Sequence, residues 1–106
     1  MMEKGKFSLR YIPRFEEDLN EIVEYIAFKL QNQASAKNLV EKIENAILER
    51  LICPLAFEPF QSSRRRKNPY YRIYVENFVV YHVVIGEVME VRRVLYKGRD
   101  SGRIIK

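Results

Sequence analysis

At 106 residues and 12.7 kDa the chain is long enough for one compact domain and too short for two of ordinary size, so residues 1–106 read as a single domain. A hydrophobic fraction of 47% with 31% charged residues excludes a wholly disordered chain, and one cysteine, Cys53, excludes an internal disulfide framework or a cysteine-based zinc site. The formal net charge of +5 is unevenly spread: residues 1–53 carry −1 and residues 54–106 carry +6, which makes the second half the side an acidic partner would meet. Met1 to Arg10 lacks the apolar core of a signal peptide and no apolar run approaches the length of a membrane span, so a cytoplasmic protein with no membrane partner is expected. No motif calls for a metal or a cofactor.

In chain order, Phe7 to Ile12 alternates apolar and polar residues as a half-buried strand does, and Pro13 ends it. A helix is predicted from Pro13 or Arg14, since proline suits the first turn and Glu16, Glu17 and Asp18 complement the positive end of the helix dipole. Its apolar stripe is Phe15, Leu19, Ile22, Val23, Ile26, Ala27 and Leu30, with Glu17, Asp18, Glu21 and Glu24 off that face. After the polar link Gln31–Ser35, in which Asn32 or Ser35 is the cap, a second stripe of Ala36, Leu39, Val40, Ile43, Ile47 and Leu51 runs to a stop at Cys53-Pro54. Two amphipathic helices joined so closely form an antiparallel hairpin with one shared apolar side.

Leu55 to Pro69, with Arg64-Arg65-Arg66-Lys67, has no sustained period and reads as a loop. Three strands follow, Tyr70–Val75, Phe78–Ile85 and Val88–Tyr96, separated by Glu76-Asn77 and by Gly86-Glu87, the latter suited to a type II′ turn. Phe78–Ile85 is almost wholly apolar, as befits a central strand buried on both faces. The order β-α-α-β-β-β predicts an α+β fold, an antiparallel sheet of about four strands packed against the helical hairpin.

The run Ile47 to Pro54, the strand pair Tyr71-Arg72-Ile73 and Phe78-Val79-Val80-Tyr81-His82-Val83, and the tail Arg93-Val94-Leu95-Tyr96-Lys97-Gly98-Arg99-Asp100 resemble the RelE/ParE toxin superfamily across nearly the whole chain. The resemblance implies the toxin of a bacterial type II toxin–antitoxin, plasmid-stabilising pair, neutralised by a cognate antitoxin with an acidic, partly disordered C-terminal segment. Its ParE-like members inhibit DNA gyrase; its RelE-like members cleave messenger RNA on the ribosome. Fold alone does not separate them.

For the RelE-like chemistry the matching positions are Arg72, Arg93, Tyr96 and Arg99 as groove cations and proton donor, with Lys97 beside them, while His82 is the one side chain whose ordinary pKa suits proton transfer. Phe78 or Val79 stands where that branch has an arginine, and Ser101-Gly102-Arg103 where it has a tyrosine or histidine, so the chain resembles ParE more closely. Arg64, Arg65, Arg66, Lys67 and Lys97 are candidates for binding antitoxin or nucleic acid. Tyr70, Tyr71 and Tyr74 read first as core aromatics and second as base-stacking partners of Arg72, and Cys53 reads as a small buried hydrophobe.

Register decides how the cations group. A two-residue turn at Glu76-Asn77 pairs Arg72 with Tyr81, and a three-residue turn including Phe78 gathers Arg72, His82 and Arg93 on one face. The three-residue turn is the expectation carried forward, because it forms a cationic cluster away from the helices.

Overall fold

The structure is a computed structural model and describes residues 6–57, 59 and 67–98. Strand β1, Ser8–Tyr11, ends where Pro13 opens helix α1, Pro13–Glu24. The amide of Ile12 still donates to the carbonyl of Val91 (3.1 Å), and one residue later the chain has turned into the helix. Helix α1 runs on into a π-helical turn, Tyr25–Lys29. That wider turn breaks the 3.6-residue phase. Leu30, read from its spacing as core, therefore lies exposed, and so does Phe28.

The link to the next helix passes through Gln31 in the left-handed region (φ +53°), and the Asn32 side chain accepts a hydrogen bond from the Ser35 amide (3.0 Å). Asn32 is thus the cap of α2, Gln33–Leu51. Ala36, Leu39, Ile43 and Ile47 form its buried stripe as the sequence predicts. Cys53, expected inside, is exposed, because it lies beyond the last turn while Pro54 takes the buried position.

Strands β2 (Tyr71–Val75), β3 (Phe78–Ile85) and β4 (Val88–Tyr96) form the predicted meander. The sheet order is β1-β4-β3-β2, with β1 parallel to β4 and the other pairs antiparallel, so the sheet is mixed rather than wholly antiparallel. Gly86 supplies the left-handed φ of +62° that its two-residue turn requires. At the other turn Glu76 takes this conformation (φ +54°) and its carboxylate pairs with Lys42 of α2.

One face of the sheet packs Ile73, Val75, Val80, Met89, Val91 and Val94 against Phe15, Leu39, Ile43 and Ile47 of the helices. Tyr70, Val79, Tyr81, Val83 and Leu95 make a second apolar cluster on the opposite face. Val79 to Val83 are buried throughout, as a central strand with a cluster on each side must be.

Register corrects the expected cluster of Arg72, His82 and Arg93. The turn at Glu76-Asn77 has two residues, Val75 pairs with Phe78, and Arg72 lies opposite Tyr81. A β-bulge then leaves Arg92 as the extra residue of β4, between the pairs His82–Val91 and Tyr81–Arg93. Arg72, Tyr81 and Arg93 are in register across three strands. His82 pairs with Tyr71 and belongs to the helix-facing side.

Replacing Asn32 by Ala leaves the amides of the first α2 turn without their side-chain acceptor. The expected loss is about 1 kcal/mol of unfolding free energy in urea titration, with an unchanged m-value.

Candidate functional site

Two polar networks fix the faces of β4. On the α1 side, the carboxylate of Asp18 is buried although it sits among exposed glutamates. It accepts from Arg93 Nε (2.7 Å), from a second Arg93 guanidinium nitrogen (3.1 Å) and from the Val94 amide (3.2 Å). Arg14 approaches it at 3.6 Å. The Arg93 side chain is only 14% exposed, and its fork is committed to this pair.

Nearer β1, Glu90 joins Arg10 of that strand (2.7 Å) to Arg92 (2.7 Å), and Arg92 reaches the Tyr70 hydroxyl (3.4 Å). Burial alone raises the pKa of a carboxyl, but the hydrogen bonds from Arg92 and Arg10 outweigh it and hold Glu90 below the ordinary range. The network, one carboxylate shared by two arginines, is a brace between the outer strand and the second apolar cluster.

His82 is fully buried and stacks on Tyr71, ring centroids 5.3 Å apart. Neither ring nitrogen makes a hydrogen bond of good geometry. Burial, with a further push from the Arg50 charge, lowers its pKa to about 4, and the nearby Val83 backbone opposes the shift only weakly. At neutral pH it is an uncharged aromatic plate in the core.

The exposed chemistry gathers instead where β2 and the end of β4 flank the start of β3. Tyr74, 56% exposed, has the Arg72 guanidinium 5.7 Å and the Lys97 ammonium 5.8 Å from its ring centroid. The Lys97 amide is anchored by the Asn77 carbonyl (2.7 Å). Behind this group, Arg50 of α2 donates to the Arg72 carbonyl (3.2 Å) and stacks on the Phe57 ring (3.8 Å to the centroid). An aromatic face between two cations suits a carboxylate-bearing segment, and it equally suits a base with its phosphate.

Of the other residues singled out from sequence, Tyr96 is exposed, contacts the Phe78 ring edge-on at 6.0 Å, and lines a groove on the helix-facing side. Tyr70 and Tyr71 are buried and Tyr74 is not. Lys67 is exposed. Arg64, Arg65, Arg66 and Arg99 lie outside the described residues. Among the described residues no group of three His, Cys, Asp or Glu side chains is placed to hold a metal, and no helix is long and apolar enough to cross a membrane.

Sequence reasoning passed over Asp18, Glu90, Arg10 and Arg92. For Glu90 and its arginines the available signal was a charge alternating with apolar residues in β4, flanked in register by a charge in β1. For Asp18 there was none, since its spacing resembles that of its exposed neighbours.

Residues 9–101 match the family described as the ParE toxin of type II toxin–antitoxin system, parDE, and the chain belongs to that family. Among solved structures, a chromosomal ParDE system from P. aeruginosa superposes with a TM-score of 0.66 at 16% identity, covering 86% of this chain and 96% of that one. The archaeal RelE–RelB complex from Pyrococcus horikoshii OT3 gives 0.52 at 11% identity, covering 89% and 98%, and YafQ from E. coli gives 0.51 at 13% identity, covering 86% and 93%. These distant likenesses establish the α+β toxin fold. No curated protein matches the sequence.

The buried histidine makes stability depend on pH. Its pKa is 6.5 when unfolded and about 4 when folded, so between these values the unfolded chain binds the extra proton. The stabilising contribution is fully present above pH 6.5 and is lost as the pH falls toward 4, a change on the order of 3 kcal/mol. Denaturant titrations across this window should show that slope in the native chain and a clearly flatter one in His82→Leu.

Proposed function

We propose that the chain arrests growth by binding DNA gyrase, the ParE-like action, without cutting RNA, and that a cognate antitoxin holds it inactive. The carrying observation is the Asp18–Arg93 pair. The cation on the last strand, which the RelE-like reading needs at a phosphorane, is neutralised within the fold. Full burial of His82 and membership of the ParE family support the same reading.

The antitoxin's acidic segment fits the exposed edge bearing Arg72, Tyr74 and Lys97. The antitoxins of the ParDE and RelE–RelB structures are the precedent for such a partner.

A second reading, ribosome-dependent messenger RNA cleavage, is favoured by one observation, the Tyr74 ring between Arg72 and Lys97, which matches a base-stacking and phosphate-holding arrangement. The two readings separate in purified systems. The gyrase reading predicts inhibited supercoiling or trapped gyrase–DNA cleavage, with message left intact on programmed ribosomes. Cleaved message at growth-arresting doses, with gyrase unaffected, overturns it.

For the antitoxin, affinity should fall with rising salt, and Arg72→Glu/Lys97→Glu should weaken the complex by roughly tenfold or more. Calorimetry at two ionic strengths checks this; an affinity indifferent to both changes places the antitoxin elsewhere.

A further inference from the structure

The helix hairpin carries a surface of the opposite character to the basic edge. Helix α1 contains one arginine and five carboxylates in a chain of net charge +5. Asp18 is taken by Arg93, and Glu17 lies 3.6 Å from Arg14. Among the described residues Glu21 and Glu24 have no ion-pair partner, and Lys29 lies along the same surface.

Beside these glutamates lies a groove of about 570 Å³ between α1, the π-helical turn and the end of the β3–β4 pair. Half-buried Ile22, Ile26 and Phe78 line it together with exposed Tyr25, Leu30 and Tyr96, and Glu21 stands at its margin. A shallower extension continues past Glu24, Phe28 and Lys29, where the Phe28 ring is 69% exposed. The π-helical turn contributes to this patch by rotating Leu30 off the core-facing stripe, beside Phe28, which the helical spacing already leaves off it. Aromatic and aliphatic side chains so exposed around a concavity mark a protein-binding site rather than a solvated face.

We propose that this groove docks a basic amphipathic segment of a partner protein, its apolar anchors entering between Tyr25 and Tyr96 and its Lys or Arg residues meeting Glu21 and Glu24. The acidic margin selects against an acidic antitoxin segment, for which the Arg72–Tyr74–Lys97 edge has the complementary charge. The inference deepens the proposed function: it assigns the groove to the toxin's protein target and the basic edge to its antitoxin.

The test uses two synthetic amphipathic helical peptides with identical Leu and Phe anchors, one carrying Lys and the other Glu at the remaining positions. Anisotropy titration of the full chain should show the Lys peptide binding at least tenfold tighter than the Glu peptide. Amide shifts should centre on Glu21 to Leu30, Phe78 and Tyr96. Glu21→Lys/Glu24→Lys, both exposed and so tolerated by the fold, should erase the preference, and Tyr25→Ala/Phe28→Ala should weaken both peptides. Equal binding of the two peptides, no binding of either, or shifts centred on Arg72 and Tyr74 overturns the assignment. Peptide binding is read independently of gyrase, so a failed gyrase assay with selective binding at the groove removes the proposed target and leaves the docking site standing.

Discussion

The fold depends on how strand β4 is finished after β1 leaves it. β1 pairs with β4 only as far as Val91, and beyond that point the outer edge of β4 has no strand beside it. Asp18 fills the gap from α1, taking the Val94 amide and two nitrogens of the Arg93 guanidinium in place of a neighbouring strand. A buried carboxylate with several donors is stable only while all of them stay in place, so this contact fixes where α1 lies along the sheet. It also fixes the groove, since Ile22 and Tyr25 follow Asp18 on the same helix.

The same contact determines what chemistry the surface can offer. Arg93 faces inward to a carboxylate, His82 is sealed in the core, and Arg72 and Lys97 flank Tyr74 at the far side of the sheet. Charge is thereby sorted in space: carboxylates on α1 beside an apolar groove, cations on the edge formed by β2 and the end of β4. A small toxin that must meet both an inhibitor and a target can use such sorting to keep two partners on two surfaces.

Much of this architecture was legible in the sequence. The limits of β3 and β4, the tight turn at Gly86-Glu87, the position of α2 and the central burial of Phe78–Ile85 follow from periodicity and turn chemistry, which are local properties. The register of the cations was not. A two-residue turn and a three-residue turn fit the letters Glu-Asn equally, and the bulge at Arg92 leaves no local mark, so His82 was grouped with arginines that lie on the other face. Asp18 was invisible for a different reason: a carboxylate early in a helix looks like dipole compensation, and only the third dimension brings Arg93 to it. The π-helical turn likewise misled the stripe, assigning Leu30 to a core it never reaches. Tyr74 was noted beside Arg72, but Lys97, distant in sequence, completes the pair of cations only once the strands are aligned.

The claim on which the account turns is that Arg93 is held by Asp18 as part of the fold and is thereby removed from chemistry. A double-mutant cycle on unfolding free energy, using Asp18→Asn, Arg93→Gln and the combined variant, measures it directly. A coupling on the order of 1 kcal/mol or more, with the double variant little worse than the poorer single one, is the predicted result. Additive losses, or an Arg93→Gln chain that keeps full stability, would show Arg93 to be free of the fold and would return it to the catalytic reading.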